Sequence, residues 1–509
     1  MKKQLETQVL IVGAGSTGLS IARELSKYKV DVTVVEKNID VALGVVKSSL
    51  GLIFSSYGLA NANSLILKSS VTPDLSPSEL FEPDTLKTRL GREGFDAFPA
   101  LAEELDIEFR MFRELIIGRD EPDFRSLDLV EEICRGMNVG FERLDREGIQ
   151  AYEPHISKDY TRGLTYYGDE GQIYPWEYSI ALAENARDNG VRIMLLTEIK
   201  GITPLSGGFM VDTTSGAIKT KFIINAGGGY ADKIAEMAEV RDFGLLFIGN
   251  QFHIIDKRFG GMVNTIVETA FRPGVAEMIK PTLSGNILLA GSGLVESKGL
   301  EDTATKAELM KQDLASMQRI FPGIPKGGII TSYYAVSAFN TRDPENHLLE
   351  VSRGNANFLN AVVRMPGMGF TPAMSRYMVE LLANQGLELT TKADFNPYRK
   401  RIPRVSELSD EERKGVIAKD PRYGHIICRC EEVSEGEIVE AIKRGARSVV
   451  GVKYRTRAGM GRCQRGFCGP RVLEILAREL DIPMTEVTMK GGLSRVLLYR
   501  SKELLNAGG

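Results

Sequence analysis

The sequence predicts the α/β class: a Rossmann-like dinucleotide-binding domain, an inserted and mainly antiparallel domain, and a small C-terminal domain of different character. Three observations predict it. The β-branched run Val9-Leu10-Ile11-Val12 leads into Gly13-Ala14-Gly15-Ser16-Thr17-Gly18 and then into Leu19, Ala22 and Leu25 at helical spacing, the order of strand, tight turn and helix. Between about 245 and 340 the apolar residues alternate as in antiparallel strands. Cys428, Cys430, Cys463 and Cys468 crowd together near the C-terminus, leaving only Cys134 elsewhere. A length of 509 residues is about three times that of one domain, so several packed units are expected.

The elements follow in order. A second strand, Val32 to Val35, ends in Glu36, 23 positions after Gly13. A lone G-x-G-x-x-G is weak, but strand, helix and distal acid together form a βαβ dinucleotide fingerprint. Gly13 permits the turn, Gly15 lets a pyrophosphate reach the backbone, Gly18 lets helix and strand pack closely, and Glu36 accepts ribose hydroxyls. Residues 76 to 171 carry Pro and charge clusters such as Asp120-Glu121-Pro122-Asp123; they read as an insertion without a long periodic helix. A helix is expected from Glu177 to Asn189, a strand over Val191 to Leu195, and another from Phe222 into Gly227-Gly228-Gly229. Gln251 to Ile255, Val263 to Val267 and Asn286 to Leu289 read as antiparallel strands. Arg364 to Pro372 is glycine-rich and opens a helix over Ala373 to Ala383, whose N-terminus can face an anionic group. A basic linker, Asn396 to Arg404, leads to the cysteine domain. The expected division is 1–75, 172–244 and 342–395 for the nucleotide domain, 76–171 and 245–341 for the substrate domain, 396–423 for the linker and 424–509 for the cysteine domain.

Composition narrows the function. Lys and Arg (64) nearly balance Asp and Glu (67), giving a net charge of −3, which argues against a broad nucleic-acid surface. Apolar runs fall far short of the ~20 residues of a membrane span, and the first residues show no signal core. A cytoplasmic protein is expected, with membrane contact only through a partner.

Clustered cysteines in a reducing compartment read as metal-binding thiolates rather than disulfides. Cys-x-Cys and Cys-x4-Cys gathered on one centre point to a 2Fe-2S cluster held by Cys428, Cys430, Cys463 and Cys468, with zinc as the rival. Gly459, Gly461 and Gly466 would let backbone amides approach bridging sulfides. Cys134 reads as a small buried hydrophobe.

Taken together, Val9 to Glu36, Asn225 to Asp232, Lys280 to Asn286 and Pro366-Gly367-Met368 resemble the FAD-dependent oxidoreductases of the D-amino-acid oxidase superfamily. Gly424 to Glu431 with Thr456 to Gln464 and Cys468 looks like the 2Fe-2S domain of bacterioferritin-associated ferredoxin. In this order the chain is similar to the catalytic subunits of the anaerobic glycerol-3-phosphate dehydrogenase type. The resemblance covers almost the full length, more loosely over 76–171. It implies FAD held by Gly13, Gly15, Ser16, Thr17, Gly18, Glu36, Lys37, Ala226, Gly227, Gly367, Met368, Gly369 and Phe370, and electrons leaving through iron-sulfur centres to partner subunits.

One position departs from the resemblance. The family often ends the segment after the second strand in Gly-x-x-His, whereas this chain reads Gly51-Leu52-Ile53-Phe54. An alcohol must lose its hydroxyl proton as hydride moves to a flavin, so a base is wanted there; a neutral amine can assist with its own lone pair. Arg342 stands where the family places an arginine gripping the substrate's carboxylate or phosphate, against the plainer reading of a surface ion pair. His253, mid-strand, is the candidate replacement base, although such residues are more often satisfied core histidines. Arg455, Arg457, Arg462 and Arg465 surround the cysteines and either balance cluster charge, dock an acidic partner or form a solvated face. The expected function is an FAD-dependent dehydrogenase of a small anionic substrate, glycerol 3-phosphate first and an amino acid or 2-hydroxy acid next. It would pass electrons through the 2Fe-2S cluster to a partner protein, with oligomer formation left open. A non-catalytic electron-transfer subunit and an oxidase are the rivals.

Overall fold

The computed structural model describes residues 5–55, 62–63, 85–272, 277–291, 295–344, 346–364 and 367–500. Met365 and Pro366 of the glycine-rich motif and the expected boundary at 75 lie outside them. The chain divides into two compact units, one of residues 1–44, 176–224 and 389–509, the other of 45–175 and 225–388. The cysteine domain therefore belongs to the same unit as the nucleotide fingerprint.

In the first unit, strand Leu5–Val12 runs parallel to Val32–Val35, with Val9 opposite Val32 and Val12 opposite Val35. Val32–Val35 runs parallel to Arg192–Met194. Strand Gly216–Asn225 borders Leu5–Val12 on its other side and continues antiparallel into Gly208–Thr213 and Ile199–Leu205. The parallel strands are almost wholly apolar because a parallel sheet is covered on both faces; Val9, Leu10, Ile11 and Val34 have no exposed surface. Helix Ser16–Leu25 buries Leu19, Ile21, Ala22 and Leu25 completely. Helix Pro175–Asp188 follows, close to the span read from sequence.

The C-terminal part of this unit has its own core. Helices Glu435–Lys443, Val449–Thr456 and Gly469–Leu480 enclose Ile438, Val439, Ile442, Val452, Leu473 and Leu476. Helix Glu435–Lys443 starts with a capping box: the Ser434 hydroxyl accepts from the Glu437 amide, and the Glu437 carboxylate accepts from the Ser434 amide at 2.8 Å. Such a cap contributes about 1 kcal/mol.

The second unit is built on one large sheet, in the order Val295–Glu296, Leu245–Ile255, Ile287–Ala290, Met278–Pro281, Ile266–Thr269, Arg110–Gly118, Arg162–Gln172 and Leu52–Phe54, with Ile329–Asn340 along Leu245–Ile255. Neighbouring strands pair antiparallel, except that Ile266–Thr269 runs parallel to Arg110–Gly118. Alternation sorts the side chains onto two faces. One face carries Leu115, Val267, Ile279 and Leu289 against Met317 and Ile320 of helix Ala307–Ile320. The other carries Phe252, Leu288 and Ala290, continuing into Leu52, Phe112 and Ile266.

The region from 76 to 171 corrects one expectation. It contains two long helices, Leu86–Glu104 and Glu121–Gly136. Pro99 inside the first and the acidic start of the second hide their periodicity from a reading by composition. Asp120, read as part of a Pro and charge cluster, is the cap of the second helix, its carboxylate accepting from the Asp123 amide at 3.3 Å.

Candidate functional site

At the fingerprint, Gly13 takes φ +105°, a conformation that glycine adopts without strain. Its amide donates to the Val35 carbonyl at 2.9 Å. Gly15 is the extended residue before helix Ser16–Leu25 and no side chain caps that end, so the first helical amides stay available for an anion. The Glu36 carboxylate folds back on the turn: Oε2 accepts from the Ala14 amide at 2.9 Å, and Oε1 from the amide and side chain of Asn38 at 3.0 and 2.6 Å. Ser16 and Gly18 are buried, and Lys37 is exposed beside Glu36. These residues form one turn, and the arrangement fits a bound dinucleotide.

Ala226, Gly227 and the stretch Gly367 to Phe370 lie in the other unit. Ala226 and Gly227 leave strand Gly216–Asn225 where the Asn225 side chain donates to Asn360 Oδ1 at 3.0 Å and to the Ala231 carbonyl at 2.8 Å. Gly367 to Phe370 lead into helix Thr371–Asn384. A Cβ on Gly369 would stand 2.9 Å from the Phe54 carbonyl oxygen, so this turn packs backbone to backbone against the position where the family often has its histidine. Phe370 is buried and meets the His347 ring edge-on at 4.4 Å.

Beside Phe54 the sheet holds a group of buried ionisable residues, of which only Lys280 falls in a motif quoted from the sequence, and there without a role. Register sets Phe54 and Phe112 opposite Glu170, and Leu52 opposite Gln172. Lys280 is 2% exposed, and its ammonium donates to Gln172 Oε1 at 2.9 Å. Burial pulls its pKa down to about 7, opposed by the Glu170 carboxylate. Burial and the Glu114 charge push Glu170 well above the carboxylate range. Burial raises Asp169 to about 8, the Ser55 hydroxyl donating to it, and raises Glu268, to which Asn63 donates at 3.1 Å. The available signal was charge at alternating positions of otherwise apolar strands, as in Met278-Ile279-Lys280.

His253 points to the opposite, helix-covered face, in register with Leu289. It is fully buried, with Nδ1 at 2.8 Å from Ser332 Oγ and Nε2 at 2.9 Å from Asp313 Oδ2. Both ring nitrogens are engaged, the arrangement of a satisfied core histidine, and the structure does not bring it to Lys280. Arg342 spans two carboxylates, Asp242 at 2.7 Å and Glu350 at 2.5 Å, so an incoming oxyanion has to compete with both. A cavity of about 180 Å³ is lined by Thr85, Lys87, Asp343, Asn346 and His347. His347 Nδ1 accepts from the Arg364 amide at 3.2 Å, which leaves the proton on Nε2. Burial, with the charges of Lys87 and Arg364, lowers its pKa to about 3, so the ring is neutral.

The cysteines form two pairs. Cys430 and Cys463 lie 3.8 Å apart, and Cys428 is hydrogen-bonded to Cys468. That bond, with the Gly459 and Glu431 amides, lowers Cys428 to about 6; the Phe467 amide is the main cause of a lowered pKa at Cys463. Backbone geometry supplies these donors: Arg457, Gly459, Gln464 and Arg465 all take positive φ, wrapping the loop around the sulfurs. A Cβ on Gly461 would fall 2.2 Å from Cys430 Cβ. Four thiols under amide donors suit a sulfide-bridged iron centre. Cys134 is buried and raised to about 12 by burial, as expected of an inert thiol.

Fold and site define a class: a dinucleotide-binding oxidoreductase with a thiolate-held redox centre in the same chain. The chain belongs to the FAD dependent oxidoreductase family, which it matches over residues 8–381, and residues 426–478 match the BFD-like [2Fe-2S] binding domain. Its cofactors are accordingly FAD and a 2Fe-2S cluster. It is 36% identical to a glycerol 3-phosphate dehydrogenase of Caloramator mitchellensis, over 94% of this chain and 95% of that one. It is 24% identical to the anaerobic glycerol-3-phosphate dehydrogenase subunit A1 of Haloferax volcanii, over 99% and 87%. In fold it is similar to the FAD-bound L-alpha-glycerophosphate oxidase of Mycoplasma pneumoniae, with TM-score 0.67, 23% identity and coverage of 77% and 98%. No helix among the described residues is long and apolar enough to cross a membrane.

Proposed function

We propose that the protein oxidises the secondary alcohol of glycerol 3-phosphate to the ketone and delivers the two electrons, one at a time, through the 2Fe-2S centre to an acceptor protein. The likeness to the Caloramator dehydrogenase along nearly all of both chains carries this reading. FAD, when bound, supplies the acceptor for the hydride. The remaining need is a base for the hydroxyl proton, since Phe54 stands where the family often has histidine. Lys280 supports that role better than His253. It is buried, with burial lowering its pKa to about 7, and held by Gln172 on the sheet face that carries Phe54, whereas both nitrogens of His253 are already bonded. For the phosphate, the Lys87 and Arg364 charges beside the His347 cavity compete with the carboxylate-paired Arg342.

Phe54 also favours a second reading, an amino-acid substrate whose neutral amine needs no protein base. Anaerobic mixing with glycerol 3-phosphate, 2-hydroxy acids and amino acids separates the two. The proposal expects flavin bleaching by glycerol 3-phosphate; bleaching by an amino acid alone would overturn it.

A further inference from the structure

The unit that holds the nucleotide fingerprint also holds the cysteine domain, and one buried ion pair joins them. Asp40 is 2% exposed and lies in the segment that leaves Glu36. That segment is tied to the glycine turn at two points, Glu36 Oε2 to the Ala14 amide at 2.9 Å and the Ala42 amide to the Ala14 carbonyl at 3.0 Å. Arg455 sits on helix Val449–Thr456, and its fork grips Asp40 with Nη1 at 2.5 Å from Oδ2 and Nη2 at 2.8 Å from Oδ1. Both side chains are at most 6% exposed. One residue beyond the helix, Arg457 turns left-handed at φ +70° and begins the loop that carries Cys463. Arg457 also pairs at 3.0 Å with Glu431, the neighbour of Cys430.

The surroundings of this ion pair are closely packed. A Cβ on Gly451 would come within 2.8 Å of Asp40 Oδ2, and one on Gly491 within 2.9 Å of Ile39 Cγ2. Tyr454, next to Arg455, stacks on Trp176 with centroids 5.4 Å apart and planes at 18°. Burying a charged pair costs desolvation that its attraction only roughly repays, so such pairs fix register more than they add stability. A bidentate fork adds angular restraint that a lysine cannot supply.

We infer that Arg455 and Asp40 are positioning residues that set the placement of the cluster loop against the nucleotide turn, and so the rate at which electrons pass from flavin to cluster. The inference rests on the flavin and iron-sulfur reading above. It concerns the internal step alone: the reduced flavin loses one electron, the oxidised cluster gains it, and a one-electron acceptor such as ferricyanide takes it away before the second follows.

The test uses the full-length holoprotein in three forms, native, Asp40→Asn and Gly451→Ala. Gly451→Ala keeps both charges and displaces the carboxylate, so it serves where Asp40→Asn folds poorly. Electrons are loaded by photoreducing the bound flavin with EDTA as the sacrificial electron donor, which removes any dependence on substrate identity. Flavin absorbance and the reduced-cluster EPR signal are then followed separately. Trp176, the only tryptophan in the chain, reports the Tyr454 contact by fluorescence. In the variants, photoreduction of the flavin should stay within about twofold of native, cluster reduction should slow by about tenfold or more, and Trp176 emission should change. Unaltered cluster reduction in both variants, with flavin and cluster bound, would overturn the inference. A native chain that purifies without flavin would instead overturn the functional reading beneath it.

Discussion

Lys280 shows how much one residue's surroundings decide. An ordinary lysine titrates near 10.4, yet burial brings this one to about 7. The unfolded chain keeps the higher value, so folding releases a proton at neutral pH. The resulting penalty is fully present below pH 7 and is relieved as pH rises from 7 towards 10. Lys280→Met should therefore unfold at higher urea than wild type at pH 6, by roughly 1–4 kcal/mol, with the gap closing by pH 10. As proposed base, the lysine must be neutral, so kcat/KM should rise with pH through about 7, and Lys280→Met should lose about 10²- to 10⁴-fold in kcat. A variant with unchanged kcat would remove Lys280 from the proton path. For the anion, Arg364→Ala should raise KM by about tenfold or more if it holds the phosphate as a charge-assisted partner. A larger effect of Arg342→Ala would return that role to Arg342.

Among the elements, two glycines are tested most sharply. The Gly369 Cβ position lies 2.9 Å from a backbone oxygen, which cannot swing aside as a side chain can. Gly369→Ala should cost about 1–3 kcal/mol and weaken flavin retention, read from the absorbance of purified protein. Gly461→Ala presses on Cys430 and should lower iron and sulfide content while leaving flavin content unchanged. The strand, turn and helix around Gly13 were legible because each local signal is short-range: β-branched residues, positive φ at glycine, then helical spacing. Helices Leu86–Glu104 and Glu121–Gly136 were not, because an internal proline and exposed charge mask a periodicity that packing enforces.

At the scale of the whole molecule, two prosthetic groups in one chain predict separable failures. Cys428→Ser with Cys463→Ser should leave substrate-driven flavin bleaching within about twofold of native, while transfer to a one-electron acceptor falls with the loss of the cluster. Simultaneous loss of bleaching would mean that the cysteine domain supports the nucleotide unit as well as the electron route.

The sequence by itself determined the nucleotide turn, the clustering of four cysteines near the C-terminus and the order of the two families along the chain, since these depend on residue type and short spacing. Only the tertiary structure decided which charged residues are buried and whom they meet. It turned His253 towards Asp313, occupied Arg342 with two carboxylates, placed Lys280 beside Gln172 and joined Asp40 to Arg455 across more than 400 positions. Burial and long-range pairing arise from how strands register and helices dock, and neither leaves a periodic mark in the sequence.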